Sequence, residues 1–264
     1  MTRSLFGSLS ALSMIWGLLF CIACNSSADA DSSPPLPPED PQFTADYLMG
    51  HFDPADHPDF VLIDSAYADR SGMYLRQDAY TEFLKMHAAA ASAGIDLQIR
   101  SATRNFVAQK GIWERKWTGE TKIENGLDAS VAYPDPVDRA LAILKYSSMP
   151  GTSRHHWGTD IDLNAFVNSW FESGEGLVLY TWLVEHAHQF GYCQPYTEKG
   201  DARPHGYEEE KWHWSFEPVA RTLTELAADS LDDARITGFL GSETAPQIGV
   251  VDKYVLGINP ACRN

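Results

Sequence analysis

Positive charge is scarce in this sequence: 20 Lys and Arg stand against 36 Asp and Glu, a formal net charge of -16 over 264 residues. No basic stripe breaks the acidic background. Phosphate backbones need one, so nucleic acid is excluded as a partner. An anionic substrate has to be caught by a cation placed locally, because the field of the whole protein repels it. Internal repeats are absent too, which removes solenoids and propellers. Apolar residues are plentiful, at 44% with 12% aromatic, and that argues against wholesale disorder. The length fits one domain, or one domain with a small appendage.

Long apolar runs are confined to the start. Arg3 precedes a stretch from Leu5 to Ala23 that is apolar apart from small Ser and Gly residues, the pattern of an export signal over 1–24. Its end, Phe20-Cys21-Ile22-Ala23-Cys24, resembles a bacterial lipoprotein signal, with Cys24 as the lipidated residue and Cys21 where Leu is usual. An uncleaved anchor and a plain cleaved signal are the alternatives, since the run is just long enough to span. Residues 25–42 follow, rich in Ser, Asp and Pro (Pro34-Pro35-Leu36-Pro37-Pro38), and read as an extended tether. Folded sequence is expected over 43–264. Only four cysteines are present, and with Cys21 and Cys24 in the leader an even pair remains. Cys193 and Cys262 are expected to form a disulfide in an oxidising compartment, with two free thiols as the alternative.

Within 43–264 the periodicity predicts interleaved helices and short strands. Leu75, Ala79, Phe83 and Met86 are spaced for a helix over 74–93 closed by Gly94. Ile95, Leu97 and Ile99 alternate as a half-buried strand. Helices are expected over 106–117, from an Asp135 cap with Pro136 through Lys145, over 177–190 up to Gly191, and over 219–231. Strands are expected at 160–163 and 212–216, and Val250-Val251 in the tail reads as strand-like, a possible edge strand or a wall of the cleft. The class is α+β, one domain with a small, mostly antiparallel sheet.

Two segments carry the chemistry. One is Pro150-Gly151-Thr152-Ser153-Arg154-His155-His156-Trp157-Gly158-Thr159-Asp160-Ile161-Asp162; the other is Glu210-Lys211-Trp212-His213-Trp214. They offer imidazoles, carboxylates and a separate Glu, which a catalytic zinc needs for three protein ligands, an open position and a general base. Alternation puts Asp160 and Asp162 on one face, so either acid could face the site. His156 with Asp160 offers the same donor types as His155 with Asp162. Glu210 and His213 can face one metal only if Glu210 lies in the loop before a strand starting near Trp212. Trp212 and Trp214 would then wall the site. His51, His57, His186, His188 and His205 read as packing or surface residues, and Glu208 and Glu209 as a solvated face.

The spacing Ser-x-His-x-x-Gly-x-x-x-Asp, followed later by Glu-x-Trp-His, resembles the VanY-like D-alanyl-D-alanine carboxypeptidases, zinc peptidases of the bacterial cell wall. Ser101-Ala102-Thr103-Arg104-Asn105-Phe106 with Gln109 is similar to the family's Arg-bearing stretch. Trp182-Leu183, Ala187-His188 and Phe190-Gly191-Tyr192 resemble the helix and strand between its metal motifs. The resemblance spans roughly residues 70–217 and implies a fold like that of the D,D-peptidases and Hedgehog domains.

Carried over residue by residue, it implies one zinc per chain on His155, Asp162 and His213, with Glu210 as the base. Arg104 would hold the substrate's terminal carboxylate, as a planar bidentate partner, aided by Gln109 and Ser153. The family usually has a small residue where Asp160 stands, so Asp160 is expected to act behind the ligands, with Trp212 beside it. The implied substrate is a peptidoglycan stem peptide, losing its C-terminal D-Ala. L,D-carboxypeptidase or endopeptidase activity, or a catalytically silent zinc-containing wall-binding module, are the alternatives. A monomer in the periplasm or at the cell surface, tethered to a membrane through lipid, completes the expectation.

Overall fold

The computed structural model describes residues 43–263, which belong to one compact unit. The leader, Cys24 and the Pro-rich tether fall outside the described residues. In chain order the elements are α1 (Ala45–Leu48), β1 (Phe60–Leu62), β2 (Tyr74–Arg76), α2 (Gln77–Ser92), β3 (Ile99–Ser101) and α3 (Phe106–Trp117). They continue with α4 (Ala129–Ala132), α5 (Pro136–Ile143), β4 (Asp160–Leu163), α6 (Gly174–His186) and β5 (Tyr192–Cys193). β6 (His213–Phe216), α7 (Glu217–Ser230) and α8 (Ala245–Ile248) complete the order. Among the described residues no helix is long and apolar enough to cross a membrane.

β1 and β2 form an antiparallel hairpin. The main sheet has the order β3-β4-β6-β5, antiparallel throughout. Its central pair sets Ile161 opposite Trp214 on one face, and Asp160 opposite Ser215 and Asp162 opposite His213 on the other. The first face is apolar. Ile99, Ile161, Leu163, Tyr192, Trp214 and Phe216 pack there with Ala79, Phe83, Met86 and Ala90 of α2 and with Leu179 and Leu183 of α6. Those α2 positions recur every three to four residues, which is why this segment buries one stripe as a helix. A second core gathers Trp113, Trp117, Trp157, Leu223, Ile236, Phe239, Val250 and Val255, so the polar face of the sheet lies between two apolar masses.

Local signals explain several boundaries. Asn105 caps α3 by accepting the Ala108 N–H (2.9 Å), and Asp135 caps α5 by accepting those of Val137 and Asp138 (2.9 and 3.1 Å). The 3-10 turn Arg154–Trp157 is held to α1: Tyr47 Oη donates to the Trp157 carbonyl (2.8 Å) and Trp157 Nε1 to that of Leu48 (3.2 Å). Gly158 then swings the chain into β4 at φ 72°, where a Cβ would come 2.3 Å from the Phe60 ring, so no other residue fits.

Several expectations are corrected. Tyr74–Arg76 is strand rather than the first turn of a helix, because Leu75 pairs with Val61; the helix begins at Gln77. Residues 95–98 lie outside the named strand: Ile95 N–H closes the end of α2 on the Ala90 carbonyl, and only Ile99–Ser101 pairs with β4. The helix after Asp135 ends at Ile143, and the one before Gly191 starts at Gly174 and tightens to 3-10 from Ala187. Val250-Val251 forms no strand: α8 and a π-helical turn, Val251–Val255, carry the tail, with Val250, Val251 and Val255 buried in the second core.

Cys193 and Cys262 are disulfide-bonded, Cα atoms 5.8 Å apart, which fixes the tail to β5 across 69 residues. Closing a loop of that length stabilises by about 4 kcal/mol in the chain-entropy model. Replacing both cysteines by Ala is expected to lower the unfolding free energy by about 2–4 kcal/mol in urea denaturation; an unchanged midpoint would show that the bond only decorates a tail already held by packing.

Candidate metal centre

On the polar face of the sheet, residues two apart in a strand point the same way. Asp160 and Asp162 of β4 therefore stand beside Ser215 and His213 of β6. Ser101 joins them from β3, opposite Asp162, through a register shift after Ile99. His155 enters from the 3-10 turn. One donor atom from each of His155, Asp162 and His213 lies within 4.8 Å of the others, and all three residues are buried. His155 Nε2 is 3.3 Å from Asp162 Oδ2, and His213 Nδ1 is 3.1 Å from Asp162 Oδ1.

The far sides of the rings decide what this cluster can hold. His155 Nδ1 is 2.9 Å from the Ala102 carbonyl, which can only accept, so that nitrogen carries the proton and Nε2 presents its lone pair. His213 Nε2 lies 2.8 Å from Asp160 Oδ2, which turns Nδ1 towards the centre. A carbonyl or carboxylate behind each imidazole is the arrangement of ligating histidines. Asp162 Oδ1 is buried and accepts no hydrogen bond. Two imidazole nitrogens and a carboxylate oxygen match the donor chemistry of a catalytic zinc, so the residues fit the ion.

Electrostatics agree. Burial disfavours a charged His213, but the carboxylates of Asp160, Asp162 and Glu210 around it overcome that and raise its pKa well above the usual imidazole value. A cation is favoured at this point. Burial would likewise raise the Asp162 carboxyl, yet His155 and His213 hold it well below the carboxylate range. For His155, burial and the Arg104 charge push the other way and lower its pKa, favouring a neutral ring.

Asp160 touches His213 from a closed network. It accepts from Arg154 Nε (3.2 Å), Thr159 Oγ1 (2.7 Å) and Ser215 Oγ (2.6 Å) as well as from His213. Arg154 also donates to Thr224 Oγ1 (2.8 Å) and Ser215 Oγ (2.9 Å), and its guanidinium lies 4.5 Å from the centre of the Trp157 ring. Both residues are at most 1% exposed. Each guanidinium nitrogen and each carboxylate oxygen of the pair thereby has a partner, which a buried ion pair requires.

Glu210 stands in the loop before β6. Its carboxylate is 3.3 Å from His213 Nδ1, and burial raises its pKa against the pull of His213. The loop is fixed by backbone contacts: Glu210 N–H donates to the Tyr196 carbonyl (2.9 Å), Gln194 Nε2 to the Glu210 carbonyl (3.1 Å), and Asn168 bridges Glu209 and Lys211. Glu208 and Glu209 turn outwards to Lys199 and Lys211.

Arg104 lies beside the metal donors, Nη1 3.7 Å from Asp162 Oδ2. Its Nε donates to Gln109 Oε1 (2.9 Å), and Nη1 to Ser101 Oγ (2.5 Å). Gln109 is itself buried and donates to the Ser148 carbonyl (2.8 Å). These residues line a cleft of about 330 Å³ with His155, Asp162, His213, Glu210, Ser153 and Trp212. Ser153 Oγ is buried there with no hydrogen-bond partner.

One alternative falls away and one expectation changes. His156 does not share the centre. Its Nδ1 donates to the Arg104 carbonyl (2.5 Å), its Nε2 accepts the Gly151 N–H (3.0 Å), and burial pushes its pKa down to about 3. Trp214 points to the opposite face, into the α2–α6 core, because it follows His213 on a regular strand; Trp212, just before that strand, does line the cleft. His51, His57, His186, His188 and His205 lie away from the cleft. A second group of potential donors, Cys193, Glu217 and Cys262, has its sulfurs bonded to each other. Sequence reading passed over Arg154, which sits inside the Ser-x-His motif as an unspecified residue. It also passed over Lys116, Tyr146, Ser147, Ser148, Phe166, Tyr196 and Tyr207 on the cleft wall.

Two buried imidazoles and a carboxylate around one point, with a separate Glu in reach, are the parts of a hydrolytic metal centre. The family model described as D-alanyl-D-alanine carboxypeptidase (VanY) matches residues 72–219, and the chain belongs to that family. Its members are zinc-dependent peptidases. Among solved structures, the chain is similar to a variant of the vancomycin-resistance D,D-pentapeptidase VanY from the VanB-type cassette, in complex with Zn(II). That match has 22% identity, covers 63% of this chain and 83% of that one, and has a TM-score of 0.46. The LdcB LD-carboxypeptidase matches at 18% identity over 78% of each chain, TM-score 0.47. DacB from Streptococcus pneumoniae D39 matches at 21% identity over 70% and 94%, TM-score 0.38. No curated protein matches the sequence.

Asp160→Ala would leave the buried Arg154 without its counter-charge, and such a change costs about 3–5 kcal/mol. Denaturant unfolding is expected to show a loss of that size. A loss below about 1 kcal/mol would contradict the buried pairing.

Proposed function

We propose that this chain is a zinc-dependent D-alanyl-D-alanine carboxypeptidase that removes the terminal D-Ala of peptidoglycan stem peptides outside the cytoplasm. The observation that carries this reading is the cation beside the donor set. With a terminal carboxylate on Arg104, the last peptide bond lies over His155, Asp162, His213 and Glu210. Family membership supports the same reaction, and the donor set fits one zinc per chain.

When bound, zinc supplies a Lewis acid for the scissile carbonyl and lowers the pKa of the attacking water. The protein's own groups do the rest. Glu210 takes the proton from that water and delivers it to the leaving amine. Arg104, held flat by Gln109 and Ser101, clamps the carboxylate in two places, so the enzyme trims a terminus and does not cut internally. Ser153 offers an unpartnered hydroxyl to the substrate, and Trp212 shields the cleft from solvent. Asp160, fixed by Arg154, keeps His213 turned with Nδ1 towards the ion, and Thr159 and Ser215 keep Asp160 in place.

Residues 43–264 form the catalytic domain in this reading, with 1–24 as export signal and 25–42 as tether. Lipid on Cys24 then holds a monomeric enzyme at a membrane surface in the periplasm or on the cell exterior. The -16 charge balance accords with a soluble body that depends on Arg104 for its anionic substrate.

Zinc-loaded protein incubated with pentapeptide and tetrapeptide stems is expected to release one D-Ala from the pentapeptide and to leave the tetrapeptide intact, read by product mass. Shortening of the tetrapeptide would replace the assignment with an L,D one. In the same assay Glu210→Gln is expected to lose about 10²–10⁴-fold in turnover with zinc content unchanged, and full activity would remove Glu210 from the mechanism. Arg104→Met is expected to lower kcat/KM by about 10–100-fold, as loss of a charged hydrogen-bonded contact does, and to abolish the preference for a free carboxylate over a C-terminal amide. A preference that persists would assign the carboxylate to another group.

A further inference from the structure

Glu210 sits near the end of a long connection. Residues 194–212, between β5 and β6, contain no helix and no extended strand. A connection of that length is uncommon in a compact domain, and it places one carboxylate accurately only if it is held from outside. Gln194 does part of the holding. It is buried, and its side-chain amide donates to the carbonyls of Tyr196 (3.2 Å) and Glu210 (3.1 Å), while its Oε1 accepts from Tyr180 Oη of α6 (2.9 Å). The Tyr196 carbonyl also accepts the Glu210 N–H (2.9 Å), and the Tyr196 ring packs on that of His213 with centroids 4.7 Å apart. One side chain thus ties the two ends of the connection together beside the proposed base.

The C-terminal tail backs this connection at two points. Asn259 N–H donates to the Pro195 carbonyl (2.8 Å) and Asn259 Nδ2 to the Gln194 carbonyl (3.2 Å). Further along, the Tyr254 ring packs on Tyr207 with centroids 5.2 Å apart, and a Cβ on Gly206 would strike the Gly257 carbonyl. Asn259 is itself fixed. Its Oδ1 caps the closing turn Pro260–Cys262 by accepting the Ala261 N–H (3.1 Å), and Cys262 in that turn is bonded to Cys193, the residue before Gln194. All of these tail residues lie beyond the family region, residues 72–219.

We propose that the tail is a clamp that positions Glu210. Asn259, anchored by the Cys193–Cys262 bond, holds the backbone of Gln194 and Pro195, and the Gln194 side chain holds the Glu210 loop. Neither Gln194 nor Asn259 lines the cleft, so both are positioning residues. The kinetic consequence rests on the carboxypeptidase reading: slackening the clamp shifts the base relative to His213 and removes no metal donor.

Two variants test this. Asn259→Asp keeps an acceptor for the Ala261 N–H and removes the donor to Gln194; Gln194→Met breaks the link one step nearer to Glu210. Each is compared with the unaltered full chain by amide hydrogen exchange and by turnover of a pentapeptide stem, both on zinc-loaded protein. Amides over 208–213 are expected to exchange at least about fivefold faster, as loss of one net hydrogen bond allows, with those of β3 and β4 unaltered. kcat is expected to fall by about 10–100-fold, as misplacing a reacting group by about 1 Å does, with KM and zinc content unchanged. Slow exchange retained over 208–213, acceleration spread equally through β3 and β4, or undiminished kcat in both variants overturns the clamp. Zinc loss that accompanies the fall in kcat overturns it too, because the tail then supports the metal donors and not Glu210. If Gln194→Met does not fold, Asn259→Asp alone decides. An unaltered chain that holds zinc but releases no D-Ala overturns the carboxypeptidase reading instead, and the exchange measurement then decides the clamp by itself.

Discussion

The pairing of Asp162 with His213 across β4 and β6 is the constraint on which the rest depends. It brings two donors from segments some fifty residues apart to 3.1 Å. The strands that bring them together bury Ile161, Leu163, Trp214 and Phe216 on their other face. Because side chains alternate, a slip of either strand by one residue would send its own donor into the apolar core and turn its aliphatic residues outwards. Hydrophobic burial on one face therefore sets the register of the polar chemistry on the other.

The remaining parts are latched to that pair by short hydrogen bonds. Segment 102–104 is sewn to the 154–157 turn by three contacts: His155 Nδ1 to the Ala102 carbonyl, Arg104 N–H to the His155 carbonyl, and His156 Nδ1 to the Arg104 carbonyl. The residue proposed to grip substrate and a residue proposed to hold metal thus move as one body. His156 can serve as a latch because burial keeps it neutral, with one nitrogen donating and the other accepting. Gly50 makes room for its ring, since a Cβ there would come 2.6 Å from Nδ1. Behind His213, the Arg154–Asp160 pair gives the ring a fixed charged partner. Burying two ions is costly, and it is tolerated here because Thr159, Ser215 and Thr224 complete their hydrogen bonds.

Much of this was readable in the sequence, for identifiable reasons. β4 runs over 160–163 as predicted because strict acid–aliphatic alternation marks it locally, and α3 fills the expected 106–117, where the structure adds an Asn105 cap. The requirement that Glu210 lie in a loop before the strand followed from spacing alone. What stayed hidden depends on tertiary neighbours. Arg154 acquires meaning from Ser215 and Thr224, more than sixty residues away. Lys116 is indistinguishable in sequence from any cation in the last turn of a helix, where the dipole alone favours one. Val250-Val251 is too short a run to tell buried helix from strand, and packing against α7 and its neighbours decided it.

The central claim is that His155, Asp162 and His213 form a preorganised zinc site, and X-ray absorption at the zinc edge tests it most directly. Protein purified with zinc is expected to retain one ion per chain in a shell of nitrogen and oxygen at about 2.0–2.2 Å, with the imidazole scattering of two histidines. A sulfur shell at about 2.3 Å, or protein that keeps no zinc after desalting, would contradict it.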